Sequence, residues 1–285
     1  MNIGVVGAET HTAQLCEIVN LQRRIRGVRV SHVCGRTLSA AREAAAAGGI
    51  PHIARKPEDL IGAVDAVVVD HIHGRHHLPA AKPLLEAGLP IFFDKPFCCS
   101  RSGGRRFLVR AAELGVPVCS FSVMPMQSAF VALKKQVRRL GEIHAAVCTG
   151  PCDIASKYGG IFFYGIHQVE MILRLLGYGV GHAQVVKGSR NNHLATLTFK
   201  DGRMAAMHLM GEGGGTFHLS VIGARGRIDQ AIGYDEDFFF PGVRSFVRMF
   251  RTGRTEETME SMLVPVAVLE ALEKSLATGG RVRVS

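Results

Sequence analysis

The short run Asp94-Lys95-Pro96 closes an apolar stretch at Pro90 to Phe93. A lysine held between a strand end and a proline has a restricted backbone. Its ammonium can polarise an oxygen or lower the pKa of a neighbouring group. Further on, Phe163-Tyr164-Gly165-Ile166-His167 carries a histidine where a helical pattern opens. An imidazole with an ordinary pKa of about 6.5 suits proton transfer near neutrality, so His167 is the candidate acid or base. Tyr164, one turn earlier, can both donate and accept a hydrogen bond. Each residue also has a plain alternative: a lysine in a surface turn, a histidine that only bonds backbone, a tyrosine packed beside Phe162 and Phe163. Asp153 and Lys157, just upstream, are candidate substrate contacts. The cluster His71, His73, His76 and His77 does not have the spacing of a zinc motif and reads as a loop; no metal is expected.

A second constellation lies at the start of the chain. Dinucleotide-binding folds place G-x-G-x-x-G between the first strand and the first helix, where backbone N–H groups meet a diphosphate. Here the stretch is Gly7-Ala8-Glu9-Thr10-His11-Thr12, which keeps the first glycine only. Glu9 stands where bare backbone would approach the phosphates. If Glu9 turns to solvent, Thr10, His11 and Thr12 remain to donate; if not, the nucleotide fold is an emptied one. After the second strand the chain reads Cys34-Gly35-Arg36-Thr37. An arginine there, with no carboxylate beside it, suits a 2′-phosphate, which makes NADP(H) the preferred cofactor and NAD(H) the other possibility. A solvated arginine is the alternative.

These residues need a scaffold, and the hydrophobic pattern supplies one. Asn2 to Gly7, Val28 to Cys34, Ala66 to Val69, Pro90 to Phe93 and Val116 to Phe121 read as strands. Helical stretches at Leu38 to Ala47, Leu78 to Ala87 and Ser102 to Leu114 alternate with them. That alternation predicts a Rossmann-type doubly wound parallel sheet over residues 1–118 as the dinucleotide-binding domain. Residues 119–285 read as a C-terminal α+β domain with a mostly antiparallel open sheet, for substrate and oligomerisation. Its strands are expected at Ile143 to Thr149, Ala183 to Val186, Leu194 to Phe199, Met204 to Met210 and Thr216 to Ile222, with helices at Val131 to Leu140, Ile166 to Leu176 and Met259 to Ala277. The glycine-rich stretch at 211–215 lacks a Walker lysine and reads as an inter-strand loop.

Composition excludes several classes. The 285 residues are 47% hydrophobic and 20% charged, which suits a folded two-domain protein rather than a disordered one. The formal charge of +10 comes from scattered short clusters without interleaved aromatics, so no nucleic-acid partner is expected. No apolar run reaches the roughly 18 to 20 residues of a membrane span and the start lacks a basic leader, which places the chain in the cytoplasm without a membrane partner. Seven cysteines without a C-x-x-C pair fit reduced thiols.

Taken together, the first strand and loop, Leu85-Glu86-Ala87-Gly88-Leu89-Pro90 leading into Asp94-Lys95-Pro96, Gly165-Ile166-His167, and Val268-Leu269-Glu270-Ala271 with Ser275 and Gly279 resemble the Gfo/Idh/MocA oxidoreductases, in an atypical branch. The resemblance implies a Rossmann domain followed by an open-sheet domain that commonly mediates oligomerisation, here a homo-oligomer such as a dimer or tetramer. It also implies hydride transfer between NAD(P) and a small hydroxylated or carbonyl compound, sugar- or cyclitol-like. The family's E-K-P motif corresponds to Asp94-Lys95-Pro96, with Lys95 as the active-site lysine and His77 as the histidine ahead of it, beside the cofactor. The family's D-x-G-x-H keeps its histidine as His167 but has Phe163 for the aspartate. Two departures, Glu9 and Phe163, leave open a non-catalytic ligand-binding or assembly member, or a lyase or isomerase on the same fold.

Overall fold

A computed structural model describes residues 1–213 and 215–285. The chain divides into two compact units, and neither is a single stretch of sequence. The first comprises Met1–Cys98, Ser102–Phe121 and Phe239–Met262; the second comprises Cys99–Arg101, Ser122–Phe238 and Leu263–Ser285. This differs from a single cut after residue 118. Residues 239–262 return to the first unit because the helix they contain is amphipathic and stacks Phe246 on Phe92 of the parallel sheet, with ring centroids 4.4 Å apart.

In the first unit the strands are β1 (Asn2–Gly7), β2 (Arg29–Gly35), β3 (His52–Ile53), β4 (Ala66–Val69), β5 (Ile91–Phe93) and β6 (Val118–Ser120), all parallel, in the order β3-β2-β1-β4-β5-β6. Helices α1 (Thr12–Cys16), α2 (Leu38–Gly48), α3 (His77–Glu86) and α4 (Arg101–Leu114) alternate with them, and α1 runs on into a π-helical turn at Glu17–Leu21. All four residues of β4 are buried, as in a strand covered on both faces. Thr37 starts α2 by accepting the Ala40 N–H, and Gly49 stops it in the left-handed region. Strand order reverses between β1 and β4, so the loops after these two strands diverge and leave a crevice at their carboxyl ends.

The second unit holds a seven-stranded sheet. Its strands are β7 (Ile143–Pro151), β8 (Val180–Lys187), β9 (Asn192–Phe199), β10 (Met204–Met210), β11 (Phe217–Gly223), β12 (Gly226–Ile232) and β13 (Val282–Arg283), in the order β12-β11-β7-β10-β9-β8-β13. Only β7 and β10 pair parallel; the other neighbours are antiparallel. Helices α5 (Ser128–Val137) and α6 (Ile161–Leu176) precede and follow β7, α7 (Phe240–Thr252) belongs to the first unit, and α8 (Met259–Thr278) ends in the second. Strands β7, β9, β10 and β11 alternate, burying Ala146, Cys148, Ala195, Leu197, Met207, Leu209, Leu219 and Val221 on one face. The opposite face is half-buried to exposed, with Met204 and Ile222 among its apolar residues. Asp201-Gly202 forms the β9–β10 turn, with Gly202 at φ +90.

Several elements depart from the sequence expectation, among them the unanticipated helix α7 and the short edge strands β3 and β13. Helix α6 starts at Ile161, after Gly160 at φ +55, so His167 lies in the second turn rather than at the helix entry. Strand β12 was not anticipated, because its polar Arg227 and Asp229 face water at the sheet edge. The glycine-rich loop includes residue 214, which lies outside the described residues. Among the described residues no helix is long and apolar enough to cross a membrane.

Candidate functional site

The crevice of the first unit is built where β1 and β4 end. Gly7 has φ +101, and a Cβ there would fall 2.7 Å from the Asp70 carbonyl oxygen, so only glycine permits this approach. Asp70 directly follows β4, and its amide bonds the Val6 carbonyl. Its side chain is buried and points into the loop after β1. The carboxylate accepts the N–H groups of Thr10 (3.2 Å), His11 (3.0 Å) and Thr12 (2.8 Å), together with the hydroxyls of Thr10 and Thr12. The donors that the sequence assigns to a cofactor are therefore already satisfied by an internal anion.

Asp94 follows β5 on the same edge. His11 Nδ1 lies 3.0 Å from Asp94 Oδ1, the Thr10 hydroxyl is 3.1 Å from Oδ2, and the His11 ring stacks on Phe239 at 4.9 Å. Burial alone would lower the His11 pKa, but the charge and hydrogen bond of Asp94 outweigh it and hold His11 above 6.5. Burial opposes ionisation of Asp94, yet His11 and Lys95 keep its carboxyl far below the usual range. Asp70 shifts the other way: burial and the neighbouring Asp94 charge raise it against its hydrogen bonds from Thr10 and Thr12. Lys95, only 6% exposed and joined to Pro96 by a cis peptide, is lowered by burial, with Asp94 and Asp70 pulling it back. The resulting cluster holds two carboxylates with unequal pKa values, one lysine and one histidine within the reach of one loop.

His11, Asp70 and Asp94 have ligand-type atoms within 4.8 Å of one another. All three are already tied by the hydrogen bonds above, and Lys95 supplies positive charge beside both carboxylates, so the cluster reads as a hydrogen-bond network.

The remaining residues of this unit correct the sequence reading. Glu9 does not turn to solvent; its carboxylate lies 2.9 Å from His71 Nδ1, accepts the Ile72 N–H at 3.3 Å and meets Arg36 at 3.5 Å. Arg36 therefore does have a carboxylate beside it, because the loop after β1 folds across the end of β2. Thr37 spends its hydroxyl on capping α2. His77 is fully buried, with Nδ1 3.2 Å from the Phe97 carbonyl and Nε2 2.9 Å from the His71 carbonyl, so it braces two loops rather than presenting a free ring edge.

In the second unit His167 is 3% exposed, and its Nδ1 lies 2.7 Å from the Ser122 hydroxyl. Ser122 is fixed in turn: its N–H donates to Glu170 at 2.9 Å and its oxygen accepts the Met124 N–H at 3.1 Å. Tyr164 and Phe217 set their rings edge-on to the imidazole at 5.3 Å and 5.7 Å. Tyr164 also hydrogen-bonds Tyr234, whose phenol burial pushes up to about 12. Phe163 packs between Tyr158 and Tyr164. Asp153 is taken up locally by the Ala155 N–H (2.8 Å) and the Asn191 amide (2.6 Å), while the Lys157 ammonium lies 5.1 Å from the Tyr158 ring. Sequence reading missed Asp70, Ser122, Glu170 and Tyr234. The one available signal was Asp70, an acidic residue ending a fully apolar strand.

Strand order and crevice define the first unit as a doubly wound parallel sheet of the Rossmann type. Residues 1–121 match the family model described as the GFO_IDH_MocA oxidoreductase family, NAD-binding Rossmann fold. Over 121 residues the chain is 35% identical to inositol 2-dehydrogenase of Corynebacterium glutamicum strain R, a match covering 41% of this chain and 34% of the relative. The chain thus aligns with about a third of the length of the curated relatives it matches. Across its whole length it has the fold of scyllo-inositol dehydrogenase from Lactobacillus casei, solved with NAD(H) and scyllo-inositol (TM-score 0.85, 16% identity, covering 100% of this chain and 99% of that one). It also has the fold of GenD2 from gentamicin A biosynthesis, solved with NAD (TM-score 0.86, 19% identity, covering 100% and 96%).

A dinucleotide's diphosphate needs clustered N–H and O–H donors. Three successive backbone N–H groups and two hydroxyls here are donors of that kind, and they cradle the Asp70 carboxylate, so a diphosphate would fit only in its place.

Proposed function

We propose that the protein is a nicotinamide-dinucleotide-dependent oxidoreductase acting on a small hydroxylated or carbonyl compound, sugar- or cyclitol-like. The observation that carries the reading is the run of donors Thr10, His11 and Thr12 at the β1–β4 switch point, held by Asp70 in the ligand-free chain, with Lys95 buried beside Asp94 on the same strand edge. The 35% identity to an inositol 2-dehydrogenase over a 121-residue alignment supports a cyclitol-like substrate.

The bound cofactor supplies the hydride acceptor. In this reading Thr10, His11 and Thr12 hold its diphosphate, Gly7 admits the loop, and Asp94, Thr37 and His77 keep the crevice in shape. Lys95, with its pKa lowered by burial, polarises the substrate oxygen. His167 carries the hydroxyl proton, its ring oriented by Ser122, with Tyr164 beside it. Asp153 and Lys157 are the proposed substrate contacts. Arg36 is the feature that favours NADP(H), and Glu9 beside it opposes a 2′-phosphate, so the preference is a balance of the two. The first unit takes the cofactor and the second the substrate; the half-exposed face of the seven-stranded sheet is the surface for a homo-oligomer.

A second reading, a ligand-binding member without redox chemistry, is favoured by the two carboxylates, Glu9 and Asp70, in the loop. Titration with NADH and NADPH, read by cofactor fluorescence, separates the two readings. Saturable binding that shifts toward NADH on Arg36→Asp, followed by cofactor reduction with a cyclitol or sugar, is expected. Binding of neither nucleotide would remove the redox reading.

A further inference from the structure

We infer that Asp70 is a built-in competitor of the cofactor's diphosphate: its carboxylate holds the backbone and hydroxyl donors of residues 10–12, and a dinucleotide binds only by taking those donors from it. The inference deepens the proposed cofactor-binding reading and rests on it.

Three observations converge. The bonding is complete from inside, since the carboxylate engages three consecutive amides and two hydroxyls of one loop. The position is rigid, because Asp70 directly follows β4, its amide bonds Val6, its carbonyl accepts the Glu9 N–H, and the close approach demands Gly7. The charge belongs to the wrong sign for a phosphate neighbour: a second anion at these donors would face Asp70 and Asp94 at once, in a site where burial weakens screening. The groups facing Asp70 are Thr10, His11 and Thr12 from the loop, Cys16 from α1, and Asp94 and Lys95 beyond β5. Lys95 is the basic side chain in that set, and the His11 ring is already engaged with Asp94.

This makes Asp70 a determinant of affinity and not a group that reacts. Removing its charge frees the donors and removes the repulsion, and the same change takes a well-bonded buried group out of the ligand-free protein. Affinity and ligand-free stability should therefore move in opposite directions, which a purely structural role would not produce.

The experiment compares the full-length protein with Asp70→Asn and Asp70→Ser. The probes are NADH, followed by its own fluorescence, and ADP-ribose, which carries the same diphosphate without nicotinamide, followed by calorimetry. Both variants should bind ADP-ribose about tenfold or more tightly than the wild type, in keeping with the strength of hydrogen bonds to charged groups. Both should also melt at lower temperature without ligand and recover more on ligand addition. Should the asparagine variant fail to fold, the smaller serine, which leaves the donors free, carries the comparison. Wild-type protein that binds both probes as tightly as a folded variant overturns the role of Asp70 and leaves the cofactor reading intact. Folded variants and wild type that all fail to bind either probe overturn both.

Discussion

The His11–Asp94 contact offers a direct test of the electrostatics at the crevice, through His11→Asn. The two groups lie 3.0 Å apart, with side chains 24% and 4% exposed. At that distance and an effective dielectric of about 20, the charged pair attracts by about 5 kcal/mol before desolvation. Burial of both groups returns much of this, leaving about 2 kcal/mol, the usual worth of a hydrogen bond to a charged partner. Loss of the ring stacked on Phe239 adds about 1 kcal/mol that does not depend on pH. The sign follows from the shifts. His11 is raised above 6.5, so its contribution is complete below 6.5 and is lost as pH rises through the folded value. Asp94 is depressed below 3.8, so its contribution is present above 3.8 and is lost as pH falls through its folded value. Urea denaturation of wild type and variant should therefore give a difference of about 3 kcal/mol near pH 5.5, shrinking to about 1 kcal/mol near pH 8.5. A difference that stays constant within about 0.5 kcal/mol across that range would refute a charged His11–Asp94 pair.

Other substitutions probe the second unit. A Cβ added at Gly150 would collide with the ring of buried Phe217, which packs edge-on to His167; Gly150→Ala should cost about 1–3 kcal/mol in chemical denaturation, and an unchanged midpoint would mean that the ring has room to move. Ser122→Ala removes the hydroxyl at His167 Nδ1 and should cost about 1–2 kcal/mol. The same variant should alter the imidazole nitrogen resonances of His167 by NMR, and identical spectra would exclude Ser122 as its orienting partner.

Local pattern carried the parallel sheet of the first unit, because buried strands such as Ala66 to Val69 and helices with a cap at Thr37 and a stop at Gly49 announce themselves over a few residues. Lys95 and His167 were singled out by their likeness to family motifs rather than by local pattern, which leaves each with a plain structural alternative. The second sheet was legible where strands alternate, as at Met204–Met210, and illegible at Gly226–Ile232, where an edge strand carries polar residues on its open side. The return of α7 to the first unit could not be read from order along the chain, since a contact such as Phe246 on Phe92 spans most of its length.

What the sequence by itself determined is a set of chemical groups and the strand edge on which they stand: Gly7 and its loop after β1, and Asp94-Lys95 after β5. Which group meets which was decided only in three dimensions. Thr10 and Asp70 are 60 residues apart, Glu9 and His71 62, and Ser122 and His167 45. Hydrogen bonds act over about 3 Å and depend on direction, whereas hydrophobic periodicity reports only which side of an element is buried. A loop that looked short of glycines for a phosphate was thus found to have its donors filled by the chain's own carboxylate, a fact set by the parallel packing of β1 against β4.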